Sequence, residues 1–128
     1  MRYDRQIALD DIGISGQEKL RNAGILIVGM GGLGCPAATY LAGAGIGRLG
    51  LLDHDSVSIT NLHRQVLYKE ADIGLDKSKA AQKNLLQLNS EVDIVTFNRA
   101  LDSENILSAL QEVDIVVVGA GPVGLFTV

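Results

Sequence analysis

The stretch Ile25-Leu26-Ile27-Val28-Gly29-Met30-Gly31-Gly32-Leu33-Gly34 decides the reading of this chain. Four apolar residues, bounded by glycine on both sides, suit a strand buried on both faces. The glycines that follow, Gly29, Gly31 and Gly34, have the spacing G-x-G-x-x-G. A second apolar run, Leu49-Gly50-Leu51-Leu52, ends in Asp53. That acid lies about 20 residues beyond the turn, as a dinucleotide fingerprint requires. Such a turn permits tight backbone geometry and presents the free N–H groups of a helix N-terminus to phosphate. Asp53 is placed to accept both hydroxyl hydrogens of a ribose, or alternatively to cap a loop.

Outward from this unit, Leu33, Ala37, Tyr40, Leu41 and Ala44 recur at helical spacing, with Pro36 near the helix start. Glycines 43, 45 and 47 break that helix and lead into a strand over Arg48–Leu52. Residues 1–24 form a helical leading segment, in which Ser15-Gly16-Gln17-Glu18 has capping-box spacing and predicts a short helix to about Asn22. Ser56–Tyr68 is polar and aperiodic, and reads as a loop. Asp76 or Ser78 is placed to cap a helix whose apolar side is Ala80, Ala81, Leu85 and Leu88. Val92–Phe97 reads as a strand. Asp102 and Ser103 open a short helix with Ile106, Leu107 and Leu110 inward, and Val113–Val118 is the last strand. This alternation specifies an α/β fold: a Rossmann-like parallel sheet with flanking helices, in a single domain spanning 1–128.

Composition bounds the function. The 128 residues are 47% hydrophobic with no Trp, so the core is aliphatic. A formal charge of -4 gives no general attraction to nucleic acid or to an anionic membrane. The single cysteine excludes an intrachain disulfide and fits a cytoplasmic protein. The chain is expected to be soluble: it shows no secretory signal, and its longest apolar stretch, Ile115–Val128, is short of the ~20 residues that span a bilayer.

Beyond Asp53 come Asp55, then Asn61-Leu62-His63-Arg64-Gln65, then Lys77. Two cations downstream of a ribose-binding acid suit a polyphosphate better than a nicotinamide. Arg64 clamps phosphate oxygens in pairs and Lys77 supplies a mobile charge, unless both are ordinary solvated side chains. Asp55 either approaches magnesium through water or caps its loop. His54 sits between two aspartates, but neighbours on an extended strand point to opposite faces, which argues against a histidine metal site. Cys35 follows the turn with no base tied to it by motif, and reads as a small packing residue.

Taken together, Arg2-Tyr3-Asp4-Arg5-Gln6, Gly29-Met30-Gly31-Gly32-Leu33-Gly34-Cys35, Leu51-Leu52-Asp53-His54-Asp55 and Asn61-Leu62-His63-Arg64-Gln65 resemble the amino-terminal half of the MoeB/ThiF/HesA adenylyltransferases, relatives of the ubiquitin-activating enzymes. The resemblance implies ATP- and Mg²⁺-dependent activation of the C-terminal glycine of a ubiquitin-like sulfur-carrier protein, of the molybdopterin or thiamine type. The carrier's carboxylate attacks the α-phosphate, giving an acyl adenylate and pyrophosphate. It further implies that Gly29, Gly31, Gly32 and Gly34 cradle the nucleotide, that Asp53 holds the ribose, and that Asp55 and Gln65 line the nucleotide site. Asn61, Arg64 and Lys77 then address the phosphates, and Arg5 crosses a homodimer interface to the partner's ATP.

Two departures accompany the resemblance. Where the family has a D-C-T-D-N-type segment, with a magnesium-binding second Asp, this chain has Val118-Gly119-Ala120-Gly121-Pro122. The family's CxxC pairs are absent from the 128 residues, so the domain is expected to be truncated relative to the family. The tail DIVVVGAGPVGL, residues 114–125, also resembles the glycine turn of FAD-binding oxidoreductases. A non-catalytic nucleotide-binding module and a dinucleotide (NAD/FAD) oxidoreductase fragment therefore stand as alternative functions.

Overall fold

A computed structural model describes residues 2–98, 107, 110, 111 and 113–118. Strands β1 (Gly24–Val28), β2 (Arg48–Leu52), β3 (Asp93–Phe97) and β4 (Ile115–Val118) form one sheet in the order β3-β2-β1-β4. All three pairings are parallel. Every residue of β1 is buried, as expected of a central strand covered on both faces. The chain steps from β1 to β2 to β3 in one direction, then returns to place β4 on the other side of β1. That reversal makes the carboxyl ends of β1 and β4 the topological switch point, where open α/β sheets bind ligands. The glycine turn begins there.

Helices α3 (Gly34–Ala44) and α4 (Lys77–Leu88) pack on one face. Ile25, Ile27, Leu49 and Leu51 meet Cys35, Ala38, Ala42, Ala80, Ala81 and Leu85 there, while Leu26, Val28 and Leu52 form a smaller cluster of their own. The buried side of α3 is Gly34, Cys35, Ala38 and Ala42, one step away from the expected stripe. Leu33 and Tyr40 are exposed instead. Helix α3 carries no charged residue, so its apolar pattern could not single out a face. Small side chains occupy the sheet side because they let the helix seat closely.

Helix α4 begins where Asp76 was expected to cap it, but Asp76 makes no side-chain cap and accepts instead from Asn98 Nδ2 at 2.8 Å. Leu88, at its last turn, is exposed rather than inward. Its buried side includes Lys77, Ser78 and Asn84, which a hydrophobic pattern cannot report. Leu107 and Leu110 are helical and exposed rather than inward. The expected helix start at residues 102–106 and the glycine-rich tail from residue 119 lie outside the described residues.

Two helices, α1 (Asp4–Ile7) and α2 (Gly13–Asn22), make up the leading segment. The expected cap at Ser15 is not used. The N–H groups of Ile12 and Gly13 both donate to Leu9 O, so the turn after α1 starts α2 three residues before the serine's expected first turn. The segment attaches at the far end of α3. Gln6 and Gln17 donate to Ala44 O, and Asn89 Nδ2 donates to Ala42 O. Gln6 and Gln17 thus satisfy the Ala44 carbonyl at the helix C-terminus, and Asn89 adds a donor to Ala42 O, which also accepts Gly45 N–H at 3.2 Å. No described helix is long and apolar enough to cross a membrane.

Candidate nucleotide site

The site is built from the turn after β1 and the loop between β2 and α4. Gly29 continues the sheet through its N–H to Leu52 O at 2.8 Å, in a left-handed conformation at φ 90°. A Cβ on Gly34 would lie 1.9 Å from Gly29 O, so only glycine lets α3 start against the turn. Between these two, the N–H groups of Gly31, Gly32, Leu33 and Gly34 have no acceptor among the described residues. They sit at the start of an 11-residue helix, where the macrodipole is positive.

Met30 is held from both sides. Its N–H donates to Asp53 Oδ2 at 2.7 Å, and its carbonyl accepts the Tyr68 hydroxyl at 2.5 Å and the Cys35 thiol at 3.3 Å. Asp53 Oδ1 accepts the N–H of Asp55 at 2.7 Å. The expected ribose acid is therefore 8% exposed and already clamps two backbone amides, while each oxygen keeps a lone pair. Its backbone carries the consequence onward: Asp55 O accepts Lys77 N–H at 2.9 Å, fixing the start of α4 against the site.

Lys77 is 7% exposed and has no carboxylate partner among the described residues. Its positive charge lowers the Cys35 thiol, against the larger effect of burial. Arg64 and Gln65 follow a 3₁₀ turn at Ile59–Asn61. Asn61 Oδ1 accepts from both the N–H and the hydroxyl of Ser58, and its carbonyl receives the N–H groups of Arg64 and Gln65. Asn61 thus shapes the loop. The loop delivers two side chains over the glycines: Arg64 Nη1 lies 3.7 Å from where a Cβ on Gly32 would be, and Gln65 Nε2 lies 3.5 Å from that of Gly31. Gln65 is buried, and its Oε1 has no partner.

Asp55 is exposed, with His54 Nε2 at 3.4 Å. Possible ligand atoms of Asp53, His54 and Asp55 lie within 4.8 Å of one another, so the alternation argument against this triplet fails. Strand β2 ends at Leu52, and the three residues lie beyond it, outside any strand. Each Asp53 oxygen already accepts one backbone N–H. Arg5 does not join the group. It is exposed on α1, beyond the far end of α3, and an 11-residue helix is about 16 Å long.

Sequence reasoning missed Tyr68 and Asp72, and read Ser78 only as a helix cap, whereas it lies inside α4. Tyr68 is 4% exposed and fills the space beneath the turn. Asp72 is fully buried and ties the loop to α4: it accepts from Lys69 N–H, from Asn84 Nδ2 at 2.8 Å and from the Lys83 ammonium. Ser78 Oγ is buried without a partner. No motif marks these residues, because their roles depend on which loop lies over which helix. Burial pushes the Cys35 thiol up to about 11, against lowering by Tyr68 and Lys77. A thiol neutral at pH 7 agrees with a packing role and not a nucleophilic one.

Comparison with known proteins places this geometry. Residues 3–122 match the ThiF family. The adenylyltransferase and sulfurtransferase MOCS3 of Anopheles gambiae is 58% identical over 116 residues, covering 91% of this chain and 26% of the relative. The MOCS3 of Xenopus laevis is 51% identical over the same shares. Among solved structures, E. coli MccB with ATP matches with a TM-score of 0.81 at 34% identity, over 98% of this chain and 40% of that one. E. coli tRNA N6-threonylcarbamoyladenosine dehydratase, TcdA, in complex with ATP matches with a TM-score of 0.78 at 29% identity, over 86% and 44%. The chain spans about a quarter of the length of the curated relatives it matches.

Proposed function

The chain belongs to the ThiF family, and on that premise we propose that it binds ATP at the glycine turn, as part of an adenylyltransferase that activates the C-terminal glycine of a ubiquitin-like sulfur-carrier protein. One observation carries the reading: Arg64 and Gln65 lie over Gly32 and Gly31, whose N–H groups have no acceptor among the described residues, and the buried Lys77 starts α4 with its N–H on Asp55 O. Two cations, a helix N-terminus and an orphaned amide oxygen fit a polyphosphate with a polar sugar attached. A nicotinamide dinucleotide has no comparable need for both cations.

Bound ATP would supply the α-phosphate that the carrier carboxylate attacks. The protein's own part is positioning and charge neutralisation. Arg64 pairs with phosphate oxygens through its planar fork, and Lys77 adds a charge whose burial strengthens it. Asp53 keeps the turn in place and offers its remaining lone pairs to ribose hydroxyls. Asp55, exposed beside it, is the carboxylate available to a magnesium ion. Arg5 is too far from its own glycine turn to serve it. A homodimer in which Arg5 enters the partner's site accounts for that placement.

The test is calorimetric titration of ATP·Mg²⁺, with NAD and FAD as competitors, on wild type, Arg64→Ala and Lys77→Met. Binding lost at least tenfold in each variant, and not displaced by NAD or FAD, is the expected result. Preference for a dinucleotide would replace this reading with the oxidoreductase one. ATP binding without ATP–pyrophosphate exchange in the presence of a carrier would leave a nucleotide-binding module.

A further inference from the structure

We infer that Tyr68 is a positioning residue of the nucleotide site: by holding the Met30 carbonyl, it aims the Gly31 N–H outward at a phosphate oxygen. The inference rests on the nucleotide reading of the glycine turn and adds a residue that touches no ligand.

The argument is one of peptide geometry. The Met30 carbonyl and the Gly31 N–H belong to one planar peptide unit, and this chain has no cis peptide among the described residues. In a trans unit the two groups point in opposite directions. Fixing the carbonyl therefore fixes the amide. Tyr68 O–H donates to that carbonyl at 2.5 Å from beneath the turn, leaving Gly31 N–H to face the mouth, where it has no protein acceptor among the described residues. The next peptide is set the same way, because Gly31 O accepts Cys35 N–H at 3.0 Å and so turns Gly32 N–H away from the helix.

Tyr68 suits the task for three reasons. Its ring is 4% exposed, so the hydroxyl has no competing water. Burial drives its ionisation far above the ordinary range, so it stays a donor at every working pH. Its position is set by the loop that bears the phosphate contacts, three residues after Gln65 and with its N–H on Gln65 O at 3.1 Å, so one loop places both the hydroxyl and those side chains. The Cys35 thiol also reaches the Met30 carbonyl, at 3.3 Å, but a thiol is a weak donor.

The experiment compares four variants of the full chain by ATP·Mg²⁺ titration and by thermal melting without nucleotide. Tyr68→Phe removes only the hydroxyl and is expected to weaken ATP binding about three- to tenfold, the effect of one hydrogen bond lost from a buried group. Cys35→Ala is expected to do little alone. Tyr68→Phe with Cys35→Ala leaves the carbonyl without any donor, and is expected to weaken binding by more than the product of the single effects. Ile46→Val trims a core side chain at the far end of α3 and is expected to lower Tm while leaving ATP affinity unchanged. Wild-type affinity in Tyr68→Phe and in the double variant, whatever their Tm, would overturn the positioning role and leave the nucleotide reading intact. Failure of the wild type itself to bind ATP would overturn both.

Discussion

Asp53 at the end of β2 holds Met30 in the turn after β1, its Oδ2 accepting the Met30 N–H at 2.7 Å. The expected ribose acid is thus also a structural clamp, and its second oxygen secures Asp55 at 2.7 Å. Removing it has a cost that an empty site would still register. Asp53→Ala leaves two N–H groups without their charged acceptor, and is expected to lower stability by about 2–4 kcal/mol on the scale of charged hydrogen bonds. Urea denaturation without nucleotide measures this. Asp53→Asn keeps one acceptor oxygen and is expected to lose about half as much. If Asp53→Ala melts like wild type, the carboxylate serves ligand alone.

Two glycines of α3 give opposite predictions. A Cβ at Gly34 would meet Gly29 O at 1.9 Å, a backbone atom that cannot move aside. Gly34→Ala is expected to destabilise by about 3 kcal/mol or more, the upper range for overpacking, with loss of nucleotide binding. A Cβ at Gly43 would meet nothing within 4 Å. Gly43→Ala is expected to stabilise by about 0.5–1 kcal/mol, the gain in helix propensity. Thermal melts of the two variants decide between a packing requirement and a general preference for glycine in this helix.

How much of this was legible in the sequence follows from where the information lies. Strand β2 and the helical character of 34–44 and 77–88 could be read, because a strand buried on both faces is a continuous apolar run and a helix imposes a local period. The burial side of α3 could not, since an uncharged helix has no polar side to exclude. Gly31, Gly32, Arg64 and Gln65 were identified by motif, and the structure brings them together. Tyr68 and Asp72 were not, because one aromatic and one acid in a polar loop carry no periodic signal. Their function arises from long-range contact, with Tyr68 meeting Met30 38 positions away and Asp72 meeting Asn84 across 12.

Cys35 gives a pH prediction from its surroundings. Burial raises its thiol to about 11, from an ordinary 9.0. At pH 8 the folded protein should react with iodoacetamide far more slowly than the urea-unfolded chain, because the thiolate is the reactive species. The sign for stability follows from linkage. A thiol raised in the folded state favours folding below pH 9 and loses that contribution as pH rises from 9 towards 11. Cys35→Ala should therefore remove part of the alkaline destabilisation. Rapid alkylation of the folded protein at pH 8 would place the thiol in solvent instead.

Asp72 gives the opposite sign. Burial alone would raise its carboxyl, but hydrogen bonds from Lys83, Asn84 and the Lys69 amide outweigh it and hold the group below its ordinary 3.8. A depressed carboxyl stabilises the fold above the unfolded value, and the contribution is lost as pH falls through 3.8 towards the folded one. Asp72→Asn keeps the size of the side chain but turns a donor towards donors at Lys69 and Lys83. It is expected to destabilise by about 1–3 kcal/mol at pH 7, the scale of a buried charged hydrogen bond. The gap to wild type should shrink below about pH 4, where the carboxyl takes up a proton in the unfolded chain while the folded protein still holds it ionised. Because this acid ties the loop bearing Arg64, Gln65 and Tyr68 to α4, Asp72→Asn should also weaken ATP binding at pH 7. Urea denaturation of both proteins at pH 7 and pH 3 measures the gap. An equal gap at the two pH values would show that the shape of the side chain, and not its charge, holds the loop.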